Sequence, residues 1–150
     1  MSIHTTTHLN FHGEARAALT FYQSVFGGDL AVATYGDFGM PAGLPGADNV
    51  VFGQVESADG FRVMAYDIPG QSGGGSAGST RRENGTTITD QAFFVAVRGE
   101  TLDEVEKYWA ALSVGASIVE PLAASAWSPG FGMLTDGFGV TWILDVAAAY

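Results

Sequence analysis

The second half of this 150-residue sequence repeats the element pattern of the first, and that repeat limits what the chain can fold into. In the first half, "IHTTTHLNF" alternates apolar or β-branched residues with polar ones. This predicts a strand with Thr5, Thr7, Leu9 and Phe11 on one face and Thr6, His8 and Asn10 on the other. "GEARAALTFYQSVFGG" then places Ala15, Ala18, Leu19, Tyr22, Val25 and Phe26 at helical spacing, and Gly27-Gly28 ends the run. "DLAVATYG" reads as a strand, and "NVVFGQVES" and "FRVMAYDIP" as two strands joined by the hairpin signal "ADG". In the second half, "QAFFVAVRG" is a strand. "TLDEVEKYWAALSVG" is a helix with a capping box from Thr101 to Glu104 and an apolar face of Leu102, Val105, Trp109 and Leu112. "ASIVEPL" is a strand, and "FGMLTDGFGVTWILDVA" is a hairpin turning at "DGFG".

The offset between the halves is stable. Phe11 and Val97, taken as the ends of the two first strands, lie 86 residues apart. Phe21-Tyr22 and Tyr108-Trp109 lie 87 apart, as do Gly28 and Gly115. One such module has a single helix and a half-covered sheet, so two must combine to cover a common surface. The expected fold is α+β: two βαβββ modules, about 1–69 and 88–148, forming a curved mixed sheet with outer helices and a cavity inside. The Gly/Ser-rich stretch 70–87 is expected to be a flexible connector, with Arg81 and Arg82 as solvated charges. It lacks the glycine–Lys–Ser/Thr signature of a phosphate loop.

Composition narrows the function. Sixteen Asp and Glu against six Lys and Arg give a net charge of -10, which disfavours nucleic acid and anionic membranes. That charge suits a cationic ligand or serves solubility alone. Apolar residues reach 47%, ample for a core. With no cysteine, thiol nucleophiles, disulfides and Cys-held metals are excluded. No apolar run approaches the ~20 residues of a membrane span, and no signal peptide is visible, so a soluble, cytoplasmic protein is expected. No serine sits in a nucleophile-elbow context.

Three stretches carry a resemblance that spans nearly the whole chain: "HLNFHGEARAALTFYQSVFGGDL", "EVEKYWAALSVGASIVEPL" and "WSPGFGMLTDGFGVTWILDV". With the repeat, they resemble the vicinal-oxygen-chelate superfamily of glyoxalase I, bleomycin-resistance proteins and extradiol dioxygenases. Within it they look like the PhnB-like branch, often labelled 3-demethylubiquinone methyltransferase-like. That label finds no support in the residues, because no Gly-rich turn follows a first strand of a parallel sheet.

The resemblance implies a divalent metal held by His and Glu on inward strand positions. The matching positions here are Thr6, Ala92, Ile143 and a residue near Met64, none of which is a normal ligand. The three histidines, His4, His8 and His12, do not replace them. Residues four apart on a strand are separated by ~13 Å, against the ~4 Å two ligands of one ion allow. No metal and no cofactor are therefore expected.

The same register predicts the cavity lining. Thr6, His8 and Asn10 come from the first strand; Ala92, Phe94 and Ala96 from its counterpart; Thr141, Ile143 and Asp145 from the last; and Met64 and Tyr66 from the fourth, with Arg62 at the mouth. Trp127 would cap the opening. Trp127, Phe94 and Tyr66 either stack a planar ligand or pack among themselves. Trp109 and Tyr108 are expected in the core. His8 is either a general base or a histidine satisfied by its neighbours. Asp145 either pairs with His8 or a ligand cation, or is a solvent-exposed carboxylate. The bleomycin-resistance relatives within that resemblance imply a homodimer that binds an apolar or aromatic small molecule, and the residues at the ligand positions make it metal-free. The alternatives are a lyase, isomerase or transferase with His8 as base, and a chain whose pocket has degenerated and whose fold serves only for dimerisation.

Overall fold

Both halves of the chain build the same sheet. The computed structural model describes residues 2–70 and 78–148, which fall in two units, Met1–Gly75 and Ser76–Tyr150. In unit 1 the order is β1 (Thr7–Phe11), α1 (Ala15–Phe26), β2 (Asp29–Thr34), a 3-10 turn (Gly36–Phe38), β3 (Val50–Glu56) and β4 (Arg62–Asp67). The strands lie in the order β1-β4-β3-β2, with β1 parallel to β4 and the other pairs antiparallel. Unit 2 opens on a hairpin of β5 (Thr80–Glu83) and β6 (Thr86–Thr89). It continues with β7 (Val95–Gly99), α2 (Leu102–Leu112), β8 (Ser117–Ala123), β9 (Phe131–Thr135) and β10 (Thr141–Val146). Its main sheet runs β7-β10-β9-β8, again with one parallel pair, β7 with β10. The fold is α+β, as the repeat predicts.

Each helix buries one stripe on one face of its sheet. In α1, Ala15, Ala18, Leu19, Tyr22, Val25 and Phe26 are buried, the set the spacing predicts. Leu9, Val55, Val63 and Ala65 are buried from the sheet side. Close approach is secured by glycine: a Cβ on Gly53 would lie 2.3 Å from Leu19 Cδ1, and one on Gly132 would lie 2.8 Å from Trp109 Cζ3. In α2, Thr101 caps the helix through its hydroxyl, which accepts the Glu104 N–H. Val105 and Leu112 are buried, whereas Trp109 and Tyr108 are only half-buried and Leu102 is 38% exposed. The core of unit 2 centres on Trp142, whose indole N–H donates to Asp136 Oδ2 at 2.9 Å. Burying such large side chains supplies roughly 1.5–3 kcal/mol each.

Three expectations are corrected. The first strand begins at Thr7 rather than Ile3, because its pairing with β4 starts at Thr7 opposite Val63. Thr6 therefore precedes the strand. Second, the connector 70–87 carries structure: a hairpin spans Thr80–Thr89, with Asn84 at φ 51° and Gly85 at φ 76°. Those left-handed angles are what a two-residue Asn-Gly turn requires. Residues 71–77 of that stretch lie outside the described residues. Third, the repeat register shifts by two at the first strand. Leu9 opposes Ala65 as Val97 opposes Leu144, and Phe11 accepts from Ile68 as Gly99 accepts from Ala147. Val97 therefore matches Leu9, 88 residues apart, and Thr6 matches Phe94 rather than Ala92. Among the described residues, no helix is long and apolar enough to cross a membrane.

Candidate functional site

Strand alternation separates the two faces of each sheet. On β1, Leu9 and Phe11 are buried toward α1, while His8 and Asn10 are exposed on the face turned away. On β4, Val63, Ala65 and Asp67 are buried, and Arg62, Met64 and Tyr66 share the face with His8. Parallel pairing sets His8 opposite Met64 and Asn10 opposite Tyr66. Four of the expected site residues thus come together in unit 1.

Their geometry is specific. His8 Nδ1 lies 3.0 Å from Asn10 Oδ1. An amide oxygen only accepts, so in this contact Nδ1 is the donor, and Nε2 is the ring nitrogen turned to other partners. The ring also meets Tyr66 edge-on, with centroids 5.3 Å apart at 67°. Beside them, Glu56 holds Arg62 at 2.6 Å and accepts from the Gln54 amide at 2.9 Å. Phe52 lies on β3 with 41% of its surface exposed.

Asp67, which composition and spacing gave no reason to single out, fixes this corner. It is 1% exposed. Oδ1 accepts from the N–H groups of Gly13 and Ala15 at 2.9 and 3.0 Å, and Oδ2 accepts from Val50 N–H at 2.8 Å. One carboxylate thereby ties the ends of β1 and β4 to the start of α1 and of β3. The Tyr35 hydroxyl donates to the Asp67 carbonyl at 2.6 Å. Loss of solvent, then the neighbouring Tyr66 and Asp67, raises the pKa of Tyr35.

In unit 2 the corresponding face is differently furnished. Ala96, Ile143 and Asp145 lie on it, with Met133 beside Ile143 on the next strand. Asp145 is 8% exposed and takes a two-pronged ion pair from Arg98, at 3.0 and 2.9 Å. It is not the solvent-exposed carboxylate that its place at a strand end suggests. The β5–β6 hairpin lies against this face: the Thr87 hydroxyl approaches Met133 Sδ at 3.7 Å, and Met133 is 1% exposed. Arg82 stands 5.6 Å over the Phe131 ring, donates to Thr87 and pairs with Glu120 at 3.7 Å. It is therefore not a merely solvated charge. Thr141, expected to line the cavity, is buried and donates to Gln91 Oε1 at 2.6 Å. Phe94 is half-buried just before β7. Trp127 is 56% exposed and meets Phe131 edge-on at 5.2 Å.

The donor chemistry does not fit a metal. The positions that the resemblance points to, Thr6, Met64 and Ile143, with Phe94 after the register correction, offer no imidazole or carboxylate. Among the described residues, no three His, Asp or Glu side chains gather as a metal would require.

Comparison with known proteins agrees with this architecture. The family model of the glyoxalase/bleomycin resistance protein/dioxygenase superfamily matches residues 5–144. Protein PA1353 of Pseudomonas aeruginosa superposes with a TM-score of 0.77 and 26% identity, over 97% of this chain and 98% of that one. The PhnB protein of Bacillus cereus shares the fold, with a TM-score of 0.68 and 24% identity over 97% of this chain and all of its own (100%). The uncharacterized protein Mb0911c of Mycobacterium bovis is 29% identical over 101 residues, which is 67% of this chain and 62% of that relative. The match therefore covers under two thirds of that relative's length. This chain belongs to the glyoxalase/bleomycin resistance protein/dioxygenase superfamily.

Proposed function

We propose that the chain is a metal-free small-molecule-binding protein that takes an apolar or aromatic ligand on the open face of unit 1. The observation that carries this is the β1–β4 cluster: an exposed imidazole, fixed by Asn10, beside the Tyr66 ring and the Met64 thioether. Such a surface offers aromatic edges, a polarizable sulfur and one oriented polar atom, the mixture small-molecule sites use. Metal independence rests on the ligand positions, where Thr6, Phe94, Met64 and Ile143 stand. The protein is further proposed to act as a homodimer, which sedimentation would test.

The test is a thermal-shift titration with aromatic amines and phenols, run with EDTA and with divalent ions. Binding only the native state raises stability by mass action, about 2.7 kcal/mol at a ligand concentration of 100 Kd. Stabilisation in EDTA that is lost in His8→Ala supports the proposal. Stabilisation that needs a stoichiometric metal sinks it.

One observation favours a second reading. With Nδ1 held by Asn10, the other ring nitrogen of His8, Nε2, stands on an exposed surface, where a general base would meet a ligand. In that reading the chain is a lyase, isomerase or transferase, and His8→Gln removes turnover while leaving ligand binding in place.

A further inference from the structure

Unit 1 has a cleft on the helix side of its sheet, between α1 and the segment that leads into β3. The cleft is open to solvent and spans about 660 Å³, within the range of small-molecule sites. Its floor is buried Val50 and Asp67; its rim is exposed. One wall is a stripe of α1 at helical spacing, Arg16, Thr20 and Ser24, with Ala17 and Phe21 beside it. The other wall is Asp48 and Asn49.

The bonding state of these groups decides the ligand. Arg16 makes no close ion pair among the described residues, although its charge is felt by the Asp37 carboxyl, so its guanidinium donors are open to a ligand. The Thr20 hydroxyl donates to the Arg16 carbonyl and the Ser24 hydroxyl to the Phe21 carbonyl. With their protons so committed, both oxygens face a ligand as acceptors. Asp48 adds a carboxylate at the rim. The Asp67 oxygens already accept three backbone N–H groups, so Asp67 contributes negative potential at the floor more than a free contact. A simple anion would meet Arg16 but also two carboxylates. A simple cation would meet the carboxylates but also Arg16. A molecule carrying both charges satisfies every group.

We propose that this outer cleft binds a small zwitterion of amino-acid or dipeptide size. Its carboxylate lies on Arg16, its ammonium on the Thr20 and Ser24 oxygens and Asp48, and its apolar part against Ala17, Phe21 and Val50. The site is separate from the His8 face, and neither reading depends on the other.

The experiment is a ¹⁵N-resolved titration of the intact chain with L-phenylalanine, 3-phenylpropionate and phenethylamine. These share one ring and differ only in charge. The expected result is saturable shifts at residues 13–24 and 48–50 with L-phenylalanine, and at least tenfold weaker binding of each single-charge analogue. Arg16→Gln, at an exposed position, is expected to weaken the L-phenylalanine shifts at these residues at least tenfold, while Arg81→Gln, exposed in the other unit, leaves them unchanged. Equal binding of 3-phenylpropionate would overturn the zwitterion assignment. Absence of shifts at these residues, or full binding by Arg16→Gln, would overturn the site.

Discussion

The two units share a strand order, yet on the sheet face turned from the helix they carry different chemistry. By the repeat register, His8 corresponds to Ala96, Asn10 to Arg98, Met64 to Ile143 and Tyr66 to Asp145. Where unit 1 pairs Asn10 with an imidazole, unit 2 pairs Arg98 with a carboxylate. Unit 2 also lays its own hairpin on that face, over Met133. Both units bury the helix-facing half of the sheet, where packing is demanding, and they diverge in what the other half presents. Unit 2's face is already satisfied by its own side chains; unit 1's still presents His8 and Asn10.

The anchors under those faces should break with unequal cost. Asp67→Ala strips three backbone N–H groups of a charged acceptor in a buried corner and is expected to cost about 3 kcal/mol or more. The matching anchor of unit 2 is Ser128, whose hydroxyl bonds the backbone of Gly130 and Val146. Being neutral, it should lose about 1–2 kcal/mol as Ser128→Ala. Denaturant midpoints of both variants check the order, and a larger loss at Ser128 contradicts it.

The paired glycines come next. Gly132→Ala and Gly53→Ala each force a methyl into a helix-facing contact, at roughly 1–3 kcal/mol. A Cβ at Gly132 meets the Leu122 backbone at 2.9 Å as well as Trp109, and one at Gly53 meets Leu19 at 2.3 Å and the Ala65 carbonyl at 3.0 Å. With backbone close at both positions and Leu19 fully buried, both variants should melt below wild type, and an unchanged melt of either contradicts the close approach.

Smaller effects sharpen the contrast of the open faces. Arg98→Ala leaves the Asp145 carboxylate unpaired; with Arg98 65% exposed, solvent limits the loss to about 1 kcal/mol. Asn10→Ala should barely change stability but weaken ligand binding by freeing the His8 ring. Smallest of all is Asp37→Asn. The Thr34 N–H, then the Thr34 hydroxyl, holds the Asp37 carboxyl below its ordinary range. A lowered folded-state pKa contributes stability above the ordinary carboxylate range and loses it as pH falls through the lowered value. The difference between wild type and Asp37→Asn should therefore shrink toward acid pH in melts taken across that range.

Much of this was legible in the residues. Periodicity placed the helices, the repeat predicted both sheets' composition, and parity put His8, Asn10, Met64 and Tyr66 on one face. Strand ends are less legible, since the length of β1 depends on where β4 offers partners; hence Thr6 and the two-residue slip at Val97. The β5–β6 hairpin did announce itself, in Asn84-Gly85, but the preceding glycine run masked the signal. Asp67 and the Arg98–Asp145 pair were hidden for another reason. Burial and partners of a lone carboxylate are set by tertiary structure, which no local spacing encodes.

The central claim is that the open face of unit 1 is the ligand face and works without metal. The most direct measurement is a ¹⁵N-resolved titration with an aromatic amine in EDTA, mapping shifts residue by residue. Saturable shifts led by His8, Asn10, Met64 and Tyr66 are expected, and they should vanish in His8→Ala. Shifts led instead by Ala96, Arg98, Ile143 and Asp145, or shifts that appear only when a divalent ion replaces EDTA, would contradict it.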